Sequence, residues 1–157
     1  NNRFWPEKIE TCQDEAVLSW LEGHLVMIPM EPRRPGCSVV EGKDITEAKV
    51  RALAKAADDC WKAILNKDLQ AFAAAYKASF DAQTAMFPGM IHPTDSSSGS
   101  RSSMVQEYID AYKDKVLAWK MPGAGGGGYL ACVVEDADKF CKENSEAIAL
   151  TIRRAGM

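Results

Sequence analysis

The sequence has little that would direct it to a nucleic acid or into a membrane. Its 19 lysines and arginines are outnumbered by 22 acidic residues, for a formal net charge of −3. Basic residues come only as pairs, Arg33-Arg34 and Arg153-Arg154, so the electrostatic footprint of a nucleic-acid binder is missing. No apolar run approaches the ~18 residues of a membrane span. The opening NNRFWPEKIE has neither the basic start nor the apolar stretch of a secretory signal. It begins on Asn1, and we expect the chain to start inside a longer protein. Cysteines are few and odd in number: Cys12, Cys37, Cys60, Cys132 and Cys141, with no CxxC pair. This pattern predicts free thiols in a reducing cytoplasm, and with only His24 and His92 to join them it gives no zinc spacing.

What is present is an ordinary globular composition, 46% hydrophobic and 26% charged, and a length that fits a single domain over 1–157. DEAVLSWLE reads as a short helix capped by Asp14 and stopped by Gly23, with Val17, Leu18 and Leu21 inward. HLVMIPM reads as a buried strand whose far end, at Pro29, lies at an edge or bulge. DITE from Asp44 to Glu47 has the form of a capping box. It opens a long helix with Val50, Leu53, Ala54, Ala57, Trp61, Ile64 and Leu65 on one stripe. After the break at NKD, a second helix carries Leu69, Phe72, Ala73, Tyr76, Phe80, Gln83 and Phe87, and the short break predicts an antiparallel hairpin. Pro88-Gly89 ends it. MIHPTDSSSGSRSS reads as a mobile surface loop, followed by a third helix with Val105, Tyr108, Ile109 and Tyr112 inward. VLAWKM and YLACVVE read as strands. Asp136 caps a last helix carrying Ala137, Phe140, Cys141, Ile148 and Ile152, with Asn144-Ser145 as a place to bend or break. After Met157 an α+β domain has room for another strand.

Between the last two strands lies GAGGGG, with glycine at 123, 125, 126, 127 and 128 and Ala124 between them. It satisfies G-x-G-x-x-G, but a strand follows where the dinucleotide fingerprint needs a helix. Tyr129 and Leu130 stand where a P-loop needs Lys and Ser/Thr. Two readings remain: a backbone nest for an anion, with Lys120 adding charge, or a bend too tight for side chains.

Lys120, Gly123, Ala124, Gly125, Gly126, Gly127 and Gly128, followed by an apolar strand, resemble the third signature motif of the GHMP kinases, the galactokinase/homoserine kinase/mevalonate kinase family. The order of the other segments resembles that family's C-terminal domain over most of the chain: the HLVMIPMEPR strand, the helical pair ending in FPGM, the third helix and the closing helix running into RRAGM. The similarity is nearest to sugar kinases such as the heptose and fucose kinases. The resemblance implies an α+β, ferredoxin-like sandwich of an antiparallel sheet with helices, plus a long helical hairpin. It implies an ATP-dependent kinase of a sugar or sugar phosphate, using ATP and Mg²⁺, with residues 120 and 123–128 beside the phosphates. The family's main phosphate loop, of the form P-x-x-x-G-L-G-S-S-A, has no counterpart in this sequence. We therefore expect an N-terminal ATP-binding domain as the missing partner, no catalytic or metal-binding residue in this chain, and no activity from it alone. A non-catalytic binding module or a dimerisation domain that kept the fold is the alternative.

Other residues carry a structural reading, some beside a functional one. Arg33 and Arg34 read as a solvated loop pair or as contacts to an anionic substrate, and Arg101 as a disordered loop residue or a phosphate contact. His24 reads as a packed or capped residue and His92 as a loop residue. Gln83 reads as the polar margin of its stripe or as a group facing a substrate cleft. Trp5, Trp20, Trp61 and Trp119 read as core or interface residues.

Overall fold

Three aspartates set the frame, each accepting backbone N–H bonds at a helix start, which satisfies donors the helix itself leaves open. In the computed structural model, which describes residues 8–154, Asp14 caps α1 (Glu15–Glu22), Asp68 caps α3 (Leu69–Met86) and Asp136 caps α5 (Ala137–Glu143). α2 spans Glu47–Asn66 and α4 spans Met104–Tyr112. The fold is α+β. β1 (Leu25–Pro29), β4 (Ala118–Lys120), β5 (Tyr129–Val133) and β6 (Ile148–Ala149) form a sheet in the order β4-β5-β1-β6, every pair antiparallel. β1, β4, β5 and β6 are joined as a split β-α-β-β-α-β unit, the arrangement the sequence resemblance implied. β2 (Cys37–Ser38) and β3 (Thr94–Asp95) make a separate small ribbon.

β1 and β5 hold the core. Val26, Ile28, Leu130 and Cys132 join Val105, Ile109, Phe140, Phe80 and Met90 in one cluster. Val133 and Ala118 join Ala63, Phe72 and Ala73 of the hairpin in another. Each fully buried aliphatic side chain here contributes about 1.5–3 kcal/mol. Pro29 ends β1 opposite Tyr129, while β6 reaches only Val26 and Met27 on the other side. The flank of Pro29 is thus unpaired by strand, as expected for a residue without an N–H.

Three expectations change. The cap of α2 is Thr46, which accepts from the Lys49 N–H at 3.4 Å, rather than Asp44. Asp44 is instead drawn to the end of α3: its N–H donates to the Met86 carbonyl at 2.9 Å, and Lys49 Nζ bridges its carboxylate to the Ala85 carbonyl. The inward face of α2 is also rotated. Ala56 and Ala63 are buried, with Leu53, Cys60 and Ile64 half-buried, whereas Val50, Ala54, Ala57 and Leu65 are exposed. Small residues let α3 approach, so they win the inner positions over larger ones. Finally, α5 stops at Glu143, because Asn144 is extended and its side-chain amide donates to the Phe140 carbonyl. Ile148 then lies in β6, and Ile152 follows it in the closing segment rather than on a helix. Trp5 and residues 155–157 lie outside the described residues.

Candidate functional site

The glycine loop leaves β4 and returns on β5, with Lys120 opposite Ala131. Met121 is fully buried at its root. Five glycines have positive φ: Gly123 at 74°, Gly125 at 79°, Gly126 at 80°, Gly127 at 148° and Gly128 at 98°. L side chains disfavour this region. At three of these glycines a side chain is also excluded by neighbours. A Cβ on Gly125 would lie 2.8 Å from Met90 Cβ, and one on Gly126 would lie 2.8 Å from Val39 Cγ1 and 2.9 Å from Arg33 Cδ. A Cβ on Gly127 would lie 2.6 Å from both the Arg33 nitrogen and the Glu31 carbonyl oxygen. Gly123 and Gly128 face open space.

The loop is therefore strapped down by the segment after β1. The Gly126 N–H donates to the Met90 carbonyl at 2.8 Å, and the Gly128 N–H to the Glu31 carbonyl at 3.1 Å. The Met30 N–H donates to the Gly128 carbonyl at 2.8 Å. Val39 is held between two glycines, since a Cβ on Gly89 would meet its carbonyl oxygen at 2.6 Å. Two loop N–H groups are thus spent on protein carbonyls. Those of Gly123, Ala124, Gly125 and Gly127 make no such bond among the described residues.

Lys120 does not accompany the loop. Its amine donates to Ser79 Oγ on α3 at 2.5 Å, and burial lowers its pKa. Next to it, burial raises the pKa of the Cys60 thiol. Arg33 lies on the loop instead, with its aliphatic stem against Gly126. Its side chain makes no hydrogen bond or ion pair among the described residues. Arg34 and Arg101 line a cleft with Glu31, Ser102 and Glu107.

The serine stretch has more order than its composition suggests. Asp95 accepts from the Ser97 and Ser98 N–H groups and from Ser97 Oγ, which lower its pKa to about 2. The Ser96 hydroxyl donates to the Gly36 carbonyl at 2.7 Å, and Thr94 bridges to Arg101. His92 Nδ1 lies 3.3 Å from the Ser102 carbonyl. His24 packs on Trp20 with its Nδ1 3.1 Å from the Val134 carbonyl, as read from the sequence. Gln83 Oε1 is buried with no hydrogen-bond partner. Sequence reasoning missed Glu31, Val39 and Met90 as the groups that hold the loop. The available signal was Gly89, whose missing side chain admits Val39.

Among the described residues, no cluster of three His, Cys, Asp or Glu side chains is placed to hold a metal ion, and no helix is long and apolar enough to cross a membrane. What the loop offers is backbone N–H groups not taken by carbonyls, with the stem of Arg33 on Gly126. They do not amount to a complete nucleotide–metal site.

No family model matches the chain. Over 39 residues it is 51% identical to the L-fucokinase/L-fucose-1-P guanylyltransferase of Bacteroides fragilis. That match covers 25% of this chain and only 4% of the other protein. Part of the chain is thus similar to a small part of a protein named for sugar phosphorylation and nucleotidyl transfer.

Proposed function

We propose that this chain is the C-terminal domain of an ATP-dependent sugar kinase of the GHMP type, contributing its glycine loop to an active site completed by an N-terminal ATP-binding domain. The observation that carries the reading is the loop itself: a third-signature glycine run set between two antiparallel strands. The local identity to an L-fucokinase-containing protein supports it and makes L-fucose the first acceptor to try. In this reading the chain's contribution is positional. Strapping residues 125–127 onto residues 31–33 fixes the open N–H groups of Ala124 and Gly127 before ligand arrives, so little reorganisation accompanies the reaction. ATP supplies the transferred phosphoryl group.

A second reading has an observation in its favour. The N–H groups of Gly126 and Gly128 are consumed by carbonyls within the domain, as in a packing device of a binding or dimerisation module. One comparison separates the two. Purified residues 1–157 with ATP, Mg²⁺ and L-fucose are expected to release no ADP above background. The same chain joined to its upstream coding region is expected to release ADP in a sugar-dependent way. Gly125→Val in the longer protein should lower kcat/KM by about 100-fold, the scale on which misplaced positioning groups act. A longer protein that turns over no ATP with any sugar tried would favour the packing device, and robust turnover by the short chain would refute the division of labour.

A further inference from the structure

We infer that Arg33, and not Lys120, is the cationic side chain of the glycine loop, and that it holds a phosphate-type oxyanion against the open N–H groups of Ala124 and Gly127. The inference deepens the reading above by naming the charge that accompanies the loop.

Three observations converge. First, the lysine that precedes the loop is committed elsewhere, because its amine lies on Ser79 Oγ, inside the contact between β4 and α3. A half-buried ammonium held there cannot turn to the loop without losing that bond. Second, the absence of side chains at 126 and 127 is what lets Arg33 lie on the loop. Its own nitrogen occupies the space of a Gly127 Cβ, and its Cδ occupies that of a Gly126 Cβ. The guanidinium begins one bond beyond Cδ, so the charge is held within the reach of one side-chain end from the loop backbone. Third, the guanidinium has no carboxylate or carbonyl partner among the described residues, which is also true of Arg34 and Arg101, whereas Arg51 and Arg154 are ion-paired. An unpaired planar fork on a loop with N–H groups not taken by carbonyls is a donor set for a tetrahedral oxyanion, which a guanidinium grips through paired N–H bonds. Glu31 and Arg34 line a cleft with Arg101 and Glu107, and among the described residues no ion pair joins Glu31 to Arg33.

The source of the oxyanion is either a phosphorylated ligand or free phosphate, and a titration followed by amide NMR separates them. The probes are inorganic phosphate, the tripolyphosphate of ATP, and chloride at matched ionic strength. Phosphate and ATP are expected to shift the Ala124 and Gly127 amides, and chloride is not. Tighter binding of ATP than of phosphate assigns the site to a phosphorylated ligand, and equal binding assigns it to free phosphate. Arg33→Gln keeps the stem on Gly126 and should weaken binding about tenfold or more, the scale of one charge-assisted pair. Arg33→Lys should recover part of that loss. Lys120→Gln should leave affinity within about twofold, since its amine is not at the loop. Unchanged thermal unfolding of the variants shows that the strap is intact. Loss of binding in Lys120→Gln but not in Arg33→Gln would overturn the inference, as would no amide shift with any phosphate probe. Kinase activity of the longer protein that ignores Arg33 would also overturn it while leaving the kinase reading standing. Phosphate binding without kinase activity would do the reverse.

Discussion

At the scale of single residues, the loop's glycines do two different jobs. Gly123 needs only its positive φ, because space around it is open, whereas Gly127 needs both its φ and its missing side chain. Gly123→Ala is therefore expected to cost about 1 kcal/mol, the strain of a left-handed alanine. Gly127→Ala should cost about 3 kcal/mol or more, because its Cβ meets backbone atoms of residues 31 and 33 that cannot step aside. Urea unfolding of the two variants checks the order, and equal losses would mean that the strap is softer than described. Much of this was hidden from the sequence. Five glycines announce an unusual backbone, but a run of glycine does not say which residue lies across it. The same limit explains Lys120. Its place before the loop suggested a phosphate contact, yet a residue at a strand end points to one face only, and that face holds Ser79.

At the scale of elements, short-range signals were legible wherever one local partner decided the outcome. Asp14, Asp68 and Asp136 cap the helices that follow them, and Val105, Ile109 and Tyr112 face inward on α4. The signals failed where two neighbours competed. Asp44 and Thr46 are both good caps, and the choice went to Thr46 because the end of α3 claims Asp44. Thr46→Ala should accordingly cost about 1 kcal/mol and fray the first turn of α2, the usual worth of an N-cap. Asp44→Ala should leave that turn intact and loosen the junction with α3. Amide hydrogen exchange at residues 48–50 distinguishes the two, and faster exchange there in Asp44→Ala alone would return the cap to Asp44. Likewise α2 reads as amphipathic on several alternative stripes, since alanines are spread around it, and packing of Ala63 with Phe72 and Ala73 of α3 marks the inner one.

At the scale of the whole molecule, the closing segment is clasped to the opening helix. Arg154 bonds Glu15 and Glu22 of α1 and the carbonyl of Ile152. The hydrogen bond from Arg154 lowers the pKa of Glu15 to about 2 and also lowers that of Glu22. Carboxyl groups depressed in the folded state stabilise it above their unfolded pKa, near 4.3. That contribution is lost as pH falls through the folded value. Thermal unfolding should therefore show a stability loss between about pH 4.5 and 2 that is smaller in Arg154→Ala, with little difference between variants below pH 2. An unchanged acid slope in the variant would show that the clasp does not form in solution. The sheet carries a different consequence. β1 is the first strand of the described residues, yet its neighbours are β5 and β6. A growing chain that has made everything through α4 still has β1 with both edges bare. That pairing waits for β5 to be made, and closing so long a loop then adds an entropic cost. Synthesis therefore leaves an apolar strand without a sheet partner until β5 has been made, and the two helices of the hairpin, which need only each other to meet, are the natural first cover for it.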